Sequence, residues 1–128
     1  MADAHPPHAL GRFGERCAHA YLERNGWTIL ETNYRFGRRE VDLVVRRGGL
    51  VAFVEVKTRA GAGYGAPEDA VTRLKRREIE AVAREYLWRR RMDDVDVRFD
   101  VVAIVAGSGR RVIRIEHLED AWRPDPSR

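Results

Sequence analysis

The sequence predicts a mixed α/β domain, a central sheet with flanking helices. Three observations predict it. Leu10, Phe13, Cys17 and Tyr21 recur at spacings of three and four, which is one stripe of a helix. Two apolar-alternating runs meet at Gly48-Gly49, a pair suited to a two-residue primed turn. A second helical stripe, from Val71 to Leu87, separates the third strand from the fourth. A helix in that place implies a crossover and one parallel strand pair.

The elements follow in chain order. Residues 1–7, with Pro6 and Pro7, read as a loose tail. Ala18 and Leu22 widen the first helical stripe, and Gly26 ends that helix in the position a C-terminal glycine favours. Trp27-Thr28-Ile29-Leu30 opens a strand that runs to Tyr34. A second strand spans Glu40 to Arg46 and a third Leu50 to Thr58. Ala60 to Gly65 carries three glycines and reads as a connecting loop. Pro67-Glu68-Asp69 starts the second helix, with proline early and acids in the first turn. Val71, Leu74, Glu78, Val82 and Tyr86 lie along that helix, with Ile79, Ala83 and Leu87 beside them, and it stops before Asp93-Asp94. Val95 to Val105 and Val112 to Ile115 are strands, Glu119 to Trp122 a last helical turn, and residues 123–128 a second tail. No repeat or linker divides the chain, so residues 1–128 are expected to form one domain with its core over about 10–105.

Composition narrows the class. A domain of 128 residues buries about two-thirds of its unfolded surface and needs no staples. No apolar run approaches the ~20 residues of a membrane span, and the first eleven residues hold no apolar secretion signal, so a cytoplasmic protein is expected. The single cysteine, Cys17, excludes an intrachain disulfide and a four-cysteine zinc site, and its place on the stripe marks it as a small core residue. The formal charge of +4 permits a polyanionic partner without establishing one. All but two of the 24 basic residues are arginine, the exceptions being Lys57 and Lys75. A coding bias accounts for the arginines. A lysine kept in such a chain points to a place that needs a compact ammonium.

The central hairpin is the informative segment. With Gly48-Gly49 as its loop, Val41 faces Val56, Leu43 faces Val54 and Val45 faces Ala52, an apolar core face. On the other face Asp42 falls opposite Glu55, Glu40 opposite Lys57, and Val44 opposite Phe53. Two carboxylates directly across a strand pair repel, more so when half-buried. A hard divalent cation would relieve them, and Mg²⁺ is commonly held by one or two carboxylates plus waters and phosphate oxygens. Lys57 points to the same face as Glu55, where an ammonium could steady a phosphate or align a water. Metal, carboxylates and lysine together suit phosphodiester hydrolysis. An ion-pair cluster, with Glu40 bridged to Lys57 and the other two acids reaching for arginines, fits the same residues equally well.

Asp42 followed by Glu55-Val56-Lys57 after a short hairpin resembles the signature of the PD-(D/E)XK nuclease superfamily. The wider set is Gly11-x-x-Gly14-Glu15, Asn33-Tyr34-Arg35, Glu40-Val41-Asp42-Leu43-Val44, Phe53 to Arg59, and Arg98-Phe99-Asp100-Val101-Val102. This set resembles the small bacterial YraN-type family, which is similar in fold to archaeal Holliday-junction resolvases. The resemblance implies a restriction-endonuclease-like αβββαβ core. It implies Asp42 and Glu55 as ligands of Mg²⁺ or Mn²⁺, the Val56 carbonyl as a further ligand, and Lys57 as the catalytic ammonium. It also matches Glu15 to an acid that can complete such a site. Arg39 departs from the family's pattern, since glycine is usual there, and a larger residue would alter the turn or narrow the groove.

Other residues carry two readings each. Glu15 is either a metal ligand or a solvent-facing charge partner on its helix, and Glu40 either orients Lys57 or forms a plain salt bridge. Arg38, Arg39, Arg59, Tyr64 and Lys75 are the candidates for nucleic-acid contact: the cations for phosphates, Tyr64 for stacking on a base or sugar. Tyr34 and Phe36 read as packing residues, and Asp100 as structural. The expected function is that of a metal-dependent endonuclease hydrolysing phosphodiester bonds in DNA, on branched or single-stranded forms. The alternative is a non-catalytic nucleic-acid-binding domain with a relic nuclease site. Cutting two strands would suit a homodimer, although no heptad or apolar patch marks an interface.

Overall fold

The computed structural model describes residues 7–61 and 71–126. Two helices and five strands succeed one another: α1 (Pro7–Arg24), β1 (Thr28–Phe36), β2 (Arg39–Arg47), β3 (Leu50–Ala60), α2 (Arg73–Arg89), β4 (Asp96–Ala106) and β5 (Val112–Trp122). A short 3₁₀ turn at Ser108–Arg110 joins the last two strands. The sheet order is β1-β2-β3-β4-β5, with β3 and β4 parallel and every other pair antiparallel. The expected hairpin and the one parallel pair are both present. No helix among the described residues is long and apolar enough to cross a membrane.

Each helix covers one face of the sheet. Ala18 and Leu22 of α1, with Trp27 after it, pack on Leu43, Val45, Ala52, Val54, Val102 and Ile104. Ile79, Val82, Ala83 and Tyr86 of α2 pack on Val44, Val51, Phe53, Phe99, Val101 and Trp122. The alternation along β3, with Ala52 and Val54 on one side and Val51 and Phe53 on the other, is the period-two pattern of a strand buried on both faces. The apolar stripe of α1 is turned from its expected centre. Gly14, Ala18 and Leu22 are the buried residues, whereas Cys17 and Tyr21 are only half-buried at its edge.

Several expectations are corrected. Helix α1 begins at Pro7, inside the stretch read as a tail, and proline suits a first helical position. Helix α2 begins at Arg73, because Thr72 is extended and its side-chain oxygen accepts the Lys75 N–H, a side-chain cap. Val71 is therefore buried outside the helix, and Leu74 is 77% exposed instead of packed. Glu119 to Trp122 is strand, not helix: β5 continues through a register shift and a left-handed Asp120 to pair Trp122 with Phe99. Phe36 packs poorly, being exposed near the end of an edge strand, whereas the Tyr34 ring meets Tyr86 edge-on. Residues 1–6, most of the glycine loop including Tyr64, the Pro67-Glu68-Asp69 segment and residues 127–128 lie outside the described residues.

Candidate metal centre

The β2–β3 ladder runs from Arg47↔Leu50 to Leu43↔Val54, the register expected of the Gly48-Gly49 hairpin. Beyond Leu43 the pairing changes in kind. The Val56 N–H donates to Asp42 Oδ2 at 2.8 Å, so a side chain takes the hydrogen bond at this point. Across from this point, between the Thr32↔Leu43 and Tyr34↔Val41 pairs, β1 turns through Asn33 at φ 50°. Asparagine tolerates that left-handed conformation better than most residues. The irregularity moves Val41 to the α2 side of the sheet, while Leu43 stays on the α1 side. Val41 thus does not share a face with Leu43 and Val45 as expected. Asp42 is held where the faces change over.

Glu55 follows the last ladder pair. It is 5% exposed, and its Oε1 has no hydrogen-bond partner. Its other oxygen lies 4.0 Å from Lys57 Nζ. Burial pushes the Glu55 carboxyl up to about 8, and the negative charge of Asp42 adds to the rise, against Lys75 and Lys57. The second buried acid, Asp100, shows what a satisfied carboxylate looks like in this chain. Arg98 donates to both of its oxygens at 2.9 Å, His117 Nε2 lies 2.8 Å away, and the Asp120 N–H donates at 3.0 Å. Burial works to raise Asp100, but those bonds hold it below its ordinary value. Asp100 is structural, as expected. Glu55 is the acid whose environment is incomplete.

Helix α1 reaches the same place. Gly14 lies against β3 so closely that a Cβ there would stand 1.7 Å from Thr58 Oγ1. That approach carries Glu15 to the splayed strands. Burial raises its carboxyl first and Asp42 next, and Asn33 bonds to it and opposes the rise. Among the described residues no group of three His, Cys, Asp or Glu side chains is gathered tightly enough to hold an ion. The compact donor set is therefore Asp42 and Glu55, with the Val56 backbone between Glu55 and Lys57. Hard carboxylate oxygens, one of them unsatisfied, fit Mg²⁺ or Mn²⁺, which fill the rest of their shell with water and phosphate oxygens.

The remaining candidates divide. Lys75 of α2 is no free phosphate contact: its ammonium donates to Glu78 Oε2 at 2.8 Å and to the Glu40 carbonyl at 3.1 Å. Burial works to lower it, but the bond to Glu78 and the charges of Glu55 and Asp42 raise it. It acts as a fixed positive charge over the two acids. Glu40 does not hold Lys57. Its carboxylate lies 3.6 Å from Arg35, and its N–H donates to Glu78. Arg38 and Arg39 are exposed at the β1–β2 turn, and Arg59 is half-buried. Sequence reasoning missed Glu78, gave Lys75 a phosphate-contact role instead of this one, and gave Asn33 no role of its own. For Lys75 the scarcity of lysine was the available signal; for Asn33 it was the Asn33-Tyr34-Arg35 run that carries the family resemblance.

A family model described as "Uncharacterised protein family UPF0102" matches residues 14–104. A UPF0102 protein of Geobacter sulfurreducens is 47% identical over 119 residues, covering 93% of this chain and 92% of the relative. One of Chlorobium phaeobacteroides is 39% identical over 123 residues, covering 93% and 97%. One of Rhodococcus opacus is 46% identical over 114 residues, covering 89% and 96%.

Proposed function

The chain belongs to the UPF0102 family, and we propose that it is a metal-dependent nuclease that hydrolyses phosphodiester bonds in DNA, built on a restriction-endonuclease-like core. The observation that carries this reading is the buried Glu55, with an unpartnered oxygen beside Asp42 and two lysines. Asp100 argues that the deficit is no accident of packing, since the same fold provides another buried acid with four donors.

Asp42, Glu55 and the Val56 carbonyl would hold Mg²⁺ or Mn²⁺. A cation there supplies an activated water and neutralises charge on the phosphate. The chain's own residues do the rest. The Val56 N–H fixes one Asp42 oxygen and leaves the other for the ion. Lys57, 4.0 Å from Glu55 and partly exposed, is placed to orient the attacking water and to offset negative charge as the phosphorus is attacked. Lys75, tied to Glu78, lowers the cost of keeping two acids together without meeting substrate. Glu15 approaches Asp42 and Asn33 from α1 and adds a third carboxyl beside the pair.

The test is cleavage of labelled single-stranded, duplex and four-way-junction DNA with Mg²⁺, Mn²⁺ or EDTA. Asp42→Ala and Lys57→Ala should each reduce cutting by at least a hundredfold while the proteins stay folded. Salt-sensitive binding with no metal-dependent cutting would replace this reading with the binding domain that lacks catalysis.

A further inference from the structure

A cleft of about 540 Å³ lies between α1 and β1, lined by Arg12, Glu15, Arg16, His19, Asn33 and Leu43, with Thr32 beside them. Leu43 is the chain neighbour of Asp42 and the ladder partner of Val54, which precedes Glu55. Glu15 and Asn33 belong to the cleft wall and to the surroundings of Asp42 at once. The cleft therefore reaches the Asp42 end of the carboxylate pair through Glu15 and Asn33, on the α1 side of the sheet.

Its cations differ from several others in the chain. Arg35, Lys75, Arg89, Arg90, Arg98, Arg114 and Arg123 are each within salt-bridge distance of a carboxylate. Among the described residues Arg12 and Arg16 are in no such pair, and both are exposed. They sit four residues apart, one helical turn, on the same side of α1. His19 lies 3.4 Å from Glu23 and adds a flat ring to the wall. A cleft of this volume takes a body on the order of a few hundred Å³, one or two nucleotides of single strand and not a duplex. Paired cations along one wall, with a planar ring, are what single-stranded nucleic acid needs.

We propose that this cleft is the path by which one nucleic-acid strand enters the carboxylate site, with Arg12 and Arg16 on successive phosphates and His19 against a base. The inference rests on the proposed function, because it takes the bound molecule to be a phosphodiester strand. Its consequence is a preference for single-stranded or splayed ends over intact duplex.

Binding without catalysis tests it. A short fluorescent single-stranded oligonucleotide is titrated in EDTA at several salt concentrations, by anisotropy. Arg12→Ala/Arg16→Ala should weaken binding on the order of tenfold and reduce the slope of log affinity against log salt by about 1.4, which is two phosphate contacts on a single strand. Arg12→Lys/Arg16→Lys should keep most of the affinity. Arg77→Ala/Arg84→Ala removes two exposed arginines from α2 on the opposite face and should change little. Three outcomes would overturn the path: no single-strand binding by the wild type, equal losses from the two alanine pairs, or equal loss for duplex and single strand. Absence of metal-dependent cutting, with the Arg12/Arg16 effect intact, would refute the nuclease reading and leave the cleft.

Discussion

Glu55→Gln should make the cation-free protein more stable. In the unfolded chain this carboxyl ionises near its ordinary value of 4.5; in the folded chain, burial and Asp42 hold it protonated up to about 8. A raised carboxyl contributes its full stability below the unfolded value and loses it as pH rises towards the folded one. Between 4.5 and 7 each pH unit costs about 1.4 kcal/mol, so at neutral pH the site lowers stability by roughly 3 kcal/mol. Glutamine keeps the shape, removes the ionisation, and offers an amide N–H to Asp42. Denaturant unfolding in EDTA from pH 5 to 8.5 reads the effect. The wild type should weaken across that range and Glu55→Gln should not, with a gap at pH 7.5 equivalent to on the order of 10 °C in Tm. Mn²⁺ should then stabilise the wild type and leave the variant unmoved. A variant less stable than wild type in EDTA at pH 7.5, or two parallel pH curves, would refute the account of Glu55 as an uncompensated acid.

Other outcomes follow from the same geometry. Gly14→Ala forces a methyl into Thr58 and should cost about 1–3 kcal/mol of unfolding free energy, partly recovered in Gly14→Ala/Thr58→Ala, where the hydroxyl is gone. Asp100→Ala strands Arg98 and His117 without their shared acid and should cost about 3–5 kcal/mol, measured by urea unfolding. Because Asp100 is held below its ordinary 3.8, the wild type keeps this contribution above that pH and loses it as pH falls further; Asp100→Asn should flatten that acid limb of the stability curve. Thr72→Ala removes the α2 cap and should lower stability by about 1 kcal/mol in thermal unfolding.

The hairpin was legible because its signals are local: a Gly-Gly turn and period-two alternation decide the register from Arg47↔Leu50 to Leu43↔Val54. The parallel β3–β4 pair was legible from the helix between them. The site was legible as a set of residue types, Asp42, Glu55 and Lys57, but not in its geometry. A regular ladder would place Asp42 opposite Glu55 and Glu40 opposite Lys57. The left-handed Asn33 and the Asp42–Val56 bond bend the strands there, and neither leaves a mark in hydropathy. Lys75 was read as a surface cation because its ties to Glu78 and the Glu40 carbonyl come from elements far apart in the chain. The end of β5 looked helical because its irregular register interrupts the alternation that announces a strand.

Strand β3 has a neighbour on each side, pairing with β4 along its full length and with β2 through Val54. Amides in such a strand exchange with solvent chiefly by global opening, whereas those of edge strands and helix ends exchange by local fraying. Glu55 and Lys57 lie just past the doubly paired stretch, on the part of β3 that β4 still holds, and Arg12 and Arg16 stand on a helix that packs against the sheet from outside. The Val56 amide, bonded to the Asp42 side chain instead of the β2 backbone, reports on that boundary: Asp42→Ala should speed its exchange.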